Sequence, residues 1–346
     1  MTRDQKIEIY LKGAREFYPD LNLNSAFSLY SGDLASPSSG KIQLKHGLVD
    51  PTLINSESIQ IVHYTSLNSF FEIINSETIR FYNCFNLNDP KEIEHGLKML
   101  NFPYEKRWID NLKRNHFILS ASKYDAQLKD NFDLWRLYGQ DGMGVGLVFE
   151  VPKEINSWAG INLSQIEYSS DMLTTSLPKR FLDYHQEFQS NYKLFENIPT
   201  IIPLLASFQK NEIWKIENET RIVAYCPFDK YSLKSKKGSF ESDNPFLSKT
   251  LSHTINSKGD NVAFINMPIS QQSIKKKLNQ NTDIELQEAY LRNHPYLSLK
   301  KVILGPRLIN SKQFQSIVEF IFLIASEKVG ENIDIVESKF KDVYKS

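Results

Sequence analysis

Apolar and polar positions alternate through Ile59-Gln60-Ile61-Val62-His63-Tyr64, a pattern that predicts a strand with Ile59, Ile61 and then His63 on one face. The period changes at once, because Leu67, Phe70, Phe71 and Ile74 recur at helical spacing, with Thr65 or Ser66 as the N-cap. Thr78 to Phe85 returns to a short strand, and Asn88 leads into another helix. There Asp89 is placed to cap, Pro90 fits the first helical position and Glu92 completes a capping-box spacing. His116 to Ala121 reads as a strand, after a helix carrying Trp108 and Leu112. Phe132, Trp135 and Tyr138 form a short helical face ended by Gly139, and Gly142 to Glu150 is a glycine turn feeding a buried strand.

The remaining pattern is mixed. Ile7, Leu11, Ala14 and Tyr18 predict an N-terminal helix that Pro19 stops, and the small-residue run from Ser31 to Gly40 reads as a linker or mobile loop. Residues 1–55 are therefore expected to be an extension and 56–346 the main α+β body. Residues 178–213 look mainly helical, interrupted near Pro199 and Pro203, and lead into the strand Arg221 to Cys226. Lys230 to Asn244 is polar and reads as a solvated loop. Asn256 to Asn261 reads as a hairpin turn, Leu299 to Leu304 as a strand, and Phe314 to Ala325 as an amphipathic helix with Gly330 as its C-cap. Strands and helices follow without a regular βαβ rhythm, so the expected class is α+β, a mainly antiparallel mixed sheet with peripheral helices. The glycines around Gly144 precede a strand rather than a helix, which excludes a dinucleotide-binding Rossmann turn.

Composition narrows the function classes. The 346 residues carry 41 basic and 41 acidic side chains, so no global field favours nucleic acid or a membrane surface. Two cysteines, Cys84 and Cys226, make neither a disulfide framework nor a zinc spacing, and read as buried thiols in a reducing, cytoplasmic compartment. The densest apolar run, Phe320 to Ala325, is too short to span a bilayer. No metal-ligand spacing is apparent.

The candidate chemistry lies where polar residues interrupt apolar segments. His63 ends an apolar face, and it could equally cap the turn that starts the following helix. Asn88 is left over when the capping account has explained Asp89, Pro90 and Glu92. On a continuous strand Glu217, Glu219 and Arg221 would share one face, the arginine either holding a carboxylate or reaching a pyrophosphate bidentately. The bland reading of that face is a solvated cross-strand ion pair. Trp135 reads as a core aromatic, whereas Tyr138, beside a glycine turn, could stack on a flat ring.

Five ordered pieces carry a resemblance: His63-Tyr64-Thr65-Ser66; Asn88-Asp89-Pro90-Lys91-Glu92; Leu134-Trp135-Arg136-Leu137-Tyr138-Gly139 with Gly142 to Gly146; Trp214-Lys215 with Glu217 to Arg221; and Val302 to Pro306. With them the chain resembles the bacterial domain-of-unknown-function family 2971 over roughly residues 56–310. The strand ending in His-Tyr-Thr also resembles, more distantly, the first core strand of the ADP-ribosyltransferase superfamily. That resemblance implies an ADP-ribosyltransferase-like sheet and NAD as cofactor, with His63 and Glu219 as catalytic residues and Glu217 as the competing acid. Tyr64, Thr65, Ser120, Tyr138 and Arg221 would be cofactor-binding, with Ser120 or Tyr138 in the middle position of the triad. Asn88, Asp89, Glu92, Trp135 and Arg136 are further candidates. The implied activity is ADP-ribosyl transfer or NAD hydrolysis, with nucleic acid, protein or water as acceptor, and the resemblance is compatible with a toxin or defence role. Two alternatives stay open: a metal-dependent nuclease or phosphodiesterase using Asp89, Glu92, Glu217 and Glu219, and a noncatalytic ligand-sensing or partner-binding module.

Overall fold

The computed structural model describes residues 1–19, 21–24, 41–43, 59–86, 91–125, 130–152, 158, 160–170, 175–193, 201–226, 247, 250–255, 259–276, 285, 288, 291–292 and 294–343. The chain enters through helix α1 (Arg3–Ala14) and a small antiparallel pair, β1 (Asn22–Asn24) with β2 (Lys41–Gln43). β3 (Ile59–Thr65) then runs directly into α2 (Leu67–Ser76) and back into β4 (Thr78–Asn83). Ser66 caps α2 by accepting from Ser69 N, and Glu77, in the left-handed region at φ 54°, ends it. Three elements follow: α3 (Glu92–Met99), α4 (Lys106–Asn115) and β5 (His116–Lys123). After α5 (Phe132–Leu137) come β6 (Val145–Val151), β7 (Ile161–Gln165), β8 (Glu167–Ser169), α6 (Leu177–Tyr192) and α7 (Ile201–Ala206). The last strands are β9 (Gln209–Asn211), β10 (Glu219–Tyr225), β11 (Leu251–Ile255), β12 (Asn261–Pro268), β13 (Ser298–Leu304) and β14 (Asp334–Glu337).

Ten of these strands form one sheet in the order β11-β12-β4-β5-β3-β6-β13-β14, with β10 and β7 attached through β5. Its described pairings are antiparallel except for β13 with β14, so the α+β class holds. β5 is the strand on which the architecture turns. One edge is fully paired to β10, from Glu219↔Ser122 to Tyr225↔His116. The other edge is shared: β3 meets it only at Ile61↔Lys123 and Val62↔Ser122, and β4 only at Tyr82↔Ile118 and Asn83↔Phe117. Beyond Val62, β3 stays with β6 through Thr65↔Val145 and leaves β5 behind. The sheet therefore splits over Leu119, Ser120 and Ala121, and α2 links the two arms of the split.

Apolar side chains cover both faces. One core gathers Phe70, Ile74, Phe81, Leu119, Leu147, Ile222 and Leu304. The other face carries Ile118 and Val223 against α3, α6, α7 and the N-terminal helix. Tyr10, Ala14, Tyr18 and Leu21 from the expected extension are buried in this second core with Phe181 and Leu182, and Tyr10 Oη lies 2.9 Å from His185 Nδ1. A smaller cluster packs Tyr64 edge-on to Trp135, ring centroids 4.9 Å apart, with Val148 and Ile303. Trp135 Nε1 donates to Asp130 Oδ2 at 2.6 Å, and Asp130 also accepts from the Ser338 hydroxyl, tying the end of the chain to this cluster.

Several local expectations change. α3 begins at Glu92, with Lys91 in the capping position and no side-chain cap, so Glu92 opens the helix instead of closing a capping box. Asn88, Asp89 and Pro90 lie outside the described residues, as do the runs 25–40 and 227–246. Gln209–Asn211, expected to be helical, pairs in parallel with β8. Glu217 ends a short 3-10 helix, Glu212–Glu217, and Asn218 at φ 43° turns the chain before β10 starts at Glu219. The helix from Phe314 widens into a π-helical stretch at Ile321–Ala325 before Gly330 closes it at φ 77°.

Two of the glycine motifs fit together by backbone approach. Gly144 N donates to Gly139 O at 2.9 Å and Gly305 N to Gly144 O at 3.1 Å, while Arg307 N and Leu308 N both donate to Gly142 O. A Cβ on Gly144 would lie 2.1 Å from Thr65 O, and one on Gly305 would lie 2.3 Å from Gly142 O. The close approach locks the end of β3 to the turn before β6 and to the end of β13. Gly144→Ala is expected to destabilise the protein by about 1–3 kcal/mol, the usual cost of overpacking, read as a lower urea midpoint at unchanged slope. A midpoint within error of the parent's would contradict this packing account.

Candidate functional site

The split in the sheet is a cavity of about 350 Å³, within the size range of small-molecule sites. Consecutive residues Ile118, Leu119, Ser120, Ala121 and Ser122 all line it. A strand presents successive side chains to opposite faces, so a run of neighbours lining one cavity means that its edge is open. One wall is β3 and α2, with His63, Thr65, Ser69 and Ile73; another is β4, with Thr78, Arg80 and Tyr82. Tyr138, Lys210, Trp214, Glu217 and Glu219 close the far end together with Glu92.

His63 replaces a missing ladder bond. Its Nδ1 lies 3.0 Å from Ser120 O, on the stretch of β5 that has no strand beside it. A carbonyl accepts only, so Nδ1 carries the proton. Burial lowers the His63 pKa from its ordinary value, and the Ser120 bond only partly opposes this. The ring is therefore neutral at pH 7 and offers Nε2 as an acceptor.

The far end is a buried ionic cluster of three carboxylates and two cations. Arg221 Nε donates to Glu219 Oε1 at 2.8 Å and its Nη2 to Glu219 Oε2 at 2.9 Å. The same Nη2 bonds Glu92, and Nη1 donates to Ser207 O at 2.5 Å. Lys210 Nζ lies 2.5 Å from Glu217 Oε2, 3.1 Å from Glu219 Oε2 and 3.9 Å from Glu92 Oε1. Its ammonium also sits 5.2 Å from the centre of the Trp214 ring. Glu217 takes a further hydrogen bond from the Tyr138 hydroxyl. Arg221, Glu219, Glu92 and Glu217 are all at most 5% exposed, so each charge depends on these partners.

The cluster sets its own protonation. Burial would raise Glu219, but Arg221 and Lys210, with hydrogen bonds from Arg221 and the Ser120 side chain, override it and hold the carboxyl at about 2. Burial is the larger influence on Glu92 and raises it despite Arg221. Burial also disfavours the Lys210 ammonium, yet Glu219 and Glu92 beside it raise its pKa and keep it charged. With every group ionised the cluster carries one negative charge in excess. Ser120 lies between the cluster and His63: its carbonyl accepts from His63, and it lines the cavity with Glu219.

The cavity thus gathers His63, Ser120, Tyr138, Glu92, Glu217 and Glu219 from distant parts of the sequence. Arg221 is buried behind the wall with Nε, Nη1 and Nη2 each bonded to Glu219, Ser207 or Glu92, so it holds a carboxylate and does not reach a pyrophosphate. Tyr64 and Thr65 also line the cavity, but the Tyr64 hydroxyl is occupied, accepting from Asn131 N at 2.9 Å. Trp135 is fully buried in the core and Arg136 is exposed outside the cavity lining. Cys84 and Cys226 are buried free thiols, pushed by burial up to about 12 and about 11. Lys210 and Arg80 were not singled out by sequence reasoning, and Trp214 entered only through the motif Trp214-Lys215. The usable signal for Lys210 was a lysine two residues after the largely apolar run Leu204 to Phe208, at the point where a helix was expected to continue.

A family model described as a protein of unknown function (DUF2971) matches residues 134–222, the stretch from α5 to the middle of β10 that contains Tyr138, Lys210, Glu217, Glu219 and Arg221. Neither the curated proteins nor the solved structures gave a match. Among the described residues no helix is long and apolar enough to cross a membrane, and no group of three or more His, Cys, Asp or Glu side chains is arranged to hold a metal ion.

The cluster makes an acid-stability prediction. Because Glu219 lies at about 2 when folded against an ordinary 4.5, its contribution is complete above about 4.5 and is lost as pH falls towards about 2. Raised Glu92 works in the opposite direction, since the folded state holds its proton more tightly. The melting temperature of Glu219→Gln should therefore fall less steeply than the parent's below pH 4.5, the ordinary value of the lost group. Parallel acid limbs would place the titration on other groups.

Proposed function

We propose that this cleft binds NAD and that the protein is an ADP-ribosyltransferase or NAD glycohydrolase. The observation that carries the proposal is that His63, bonded to Ser120 O, and Glu219 line one cavity across the open edge of β5. The residues suit the group in three respects. A neutral imidazole presents an acceptor to a sugar hydroxyl, the cavity is large enough for part of a nucleotide, and Tyr138 and Trp214 put aromatic rings beside buried acids. NAD would supply a ribosyl group that gains positive charge as its bond to nicotinamide breaks.

His63 would orient that ribose by accepting a hydroxyl hydrogen bond at Nε2, fixing the sugar against the strand edge. Glu219, held ionised and immobile by Arg221, would present negative charge where positive charge develops, in a site that needs little reorganisation. Glu217, suspended between Tyr138 and Lys210, would act as the second acid and link the cluster to the exposed rim at Tyr138. The charge that Glu219 keeps is what makes the arrangement useful, since a protonated carboxyl would stabilise a cationic sugar far less.

The metal-dependent nuclease reading has less support from this geometry. The Lys210 ammonium sits among Glu92, Glu217 and Glu219, where a bound cation would sit, and already neutralises part of their charge. A noncatalytic ligand-binding module would use the same cavity and differ only in turnover. A cytoplasmic setting is part of the proposal, supported by the buried free thiols, and a toxin-like or defence-like role rests on the superfamily resemblance alone.

Nicotinamide release from NAD by purified protein, with and without mixed cellular nucleic acid and protein, tests the proposal. The parent should consume NAD, and Glu219→Gln, still folded by circular dichroism, should be slower by about 100-fold or more, the scale of losing one preorganised charge contact. His63→Gln should raise KM and lower kcat together. NAD left intact under every condition would overturn the reading.

A further inference from the structure

Arg80 is positioned differently from the other cations at this cavity. Lys210 is committed to the carboxylates, and Arg221 lies behind them. The Arg80 guanidinium lies over the Phe264 ring, 4.7 Å from its centroid, and makes no hydrogen bond to protein among the described residues. Its one acidic neighbour there is Glu72 at 4.0 Å, an exposed pair with side chains 41% and 69% accessible. Such a pair holds neither partner firmly. Stacking on an aromatic face fixes the plane of a guanidinium while leaving its edge donors free, the arrangement suited to forked recognition of phosphate.

Its place in the fold adds to this. Arg80 and Tyr82 share one face of β4 and both line the cavity, and Tyr82 pairs with Phe264 of β12. Tyr82 is in register with Ile118 of β5, which places Arg80, two residues earlier on the antiparallel β4, level with Ser120, while Glu219 pairs with Ser122 on the opposite edge of β5. Two residues along the strand, about 7 Å, and two strand spacings across β5, about 10 Å, separate Arg80 from Glu219, enough for a ribose and the diphosphate attached to it. From this geometry we infer that the β4 wall is the phosphate-binding half of the cleft, with Arg80 taking the diphosphate of a nucleotide whose sugar lies towards His63 and Glu219. The inference rests on the nucleotide reading above and names the group that Arg221 cannot bind. Glu72 acts as a mobile counter-ion that the diphosphate displaces.

Calorimetric titration of the full chain with ADP and with adenosine tests it. The parent binds ADP more tightly than adenosine by roughly 10- to 100-fold, the range of charge-assisted hydrogen bonds. Arg80→Gln brings ADP down to the adenosine level and leaves adenosine unchanged, while Arg80→Lys, which keeps the charge but loses the fork, falls between. Glu72→Gln tightens ADP, an effect that a merely structural role for Arg80 would not produce. ADP binding unaltered in Arg80→Gln, or no preference for ADP in the parent, overturns the inference. Arg80-dependent ADP binding by a protein that leaves NAD intact keeps the phosphate site and removes the NAD chemistry. NAD consumption with an unchanged KM in Arg80→Gln keeps the chemistry and removes the phosphate site.

Discussion

The cleft depends on two buried cations shared among three carboxylates. Arg221 spans from its own strand, β10, to Glu92 at the start of α3 and to the Ser207 carbonyl ahead of β9, and Lys210 on β9 closes the circuit through Glu217 and Glu219. Burying such charges is expensive, and removing one partner from a pair leaves the other uncompensated. A network of this kind is therefore poor value as plain stabilisation, since apolar side chains would fill the space at lower cost. What it provides is position: it fixes acids at the end of a cavity, where a solvated acid would move, and holds Glu219 ionised.

The second constraint is the open edge of β5. A central strand normally satisfies its backbone groups with a neighbour on each side, and one without a neighbour needs another partner. Here β3 and β4 part over Ser120, and the imidazole of His63 supplies the missing donor. The same bond fixes the histidine tautomer and leaves its other nitrogen as an acceptor. The cleft and the histidine's chemistry thus have one cause, the divergence of two strands joined by a ten-residue helix. The glycine contacts among Gly139, Gly142, Gly144 and Gly305 hold the departing end of β3 in place.

Much of the local structure was legible in the sequence. The change from period two at Ile59–Tyr64 to helical spacing at Leu67–Ile74 marks β3 and α2 because each buries one face locally. His63, Glu217 and Glu219 were picked out as polar residues at the margins of apolar segments and through a family resemblance, not through any spacing that shows them to be neighbours. The split itself was not legible, since it arises from pairings between strands far apart in sequence. Lys210 and Arg80 were missed for a related reason: a lone lysine or arginine on a short element reads as a solvated side chain until its partners are known. The helical reading of residues 209–211 failed because parallel pairing with β8 outweighs local pattern in so short a segment. Glu92 looked like a capping residue, whereas its burial and its contact with Arg221 place it in the ionic cluster.

Direct observation of the His63 side-chain nitrogens by proton–nitrogen correlation, assigned by comparison with His63→Gln, tests the central claim most closely. The account predicts a neutral ring at pH 7 protonated on Nδ1, with a bare Nε2 whose resonance shifts when NAD is added while the Nδ1 proton is retained. A ring protonated on Nε2, or an Nε2 resonance indifferent to saturating NAD, would contradict it.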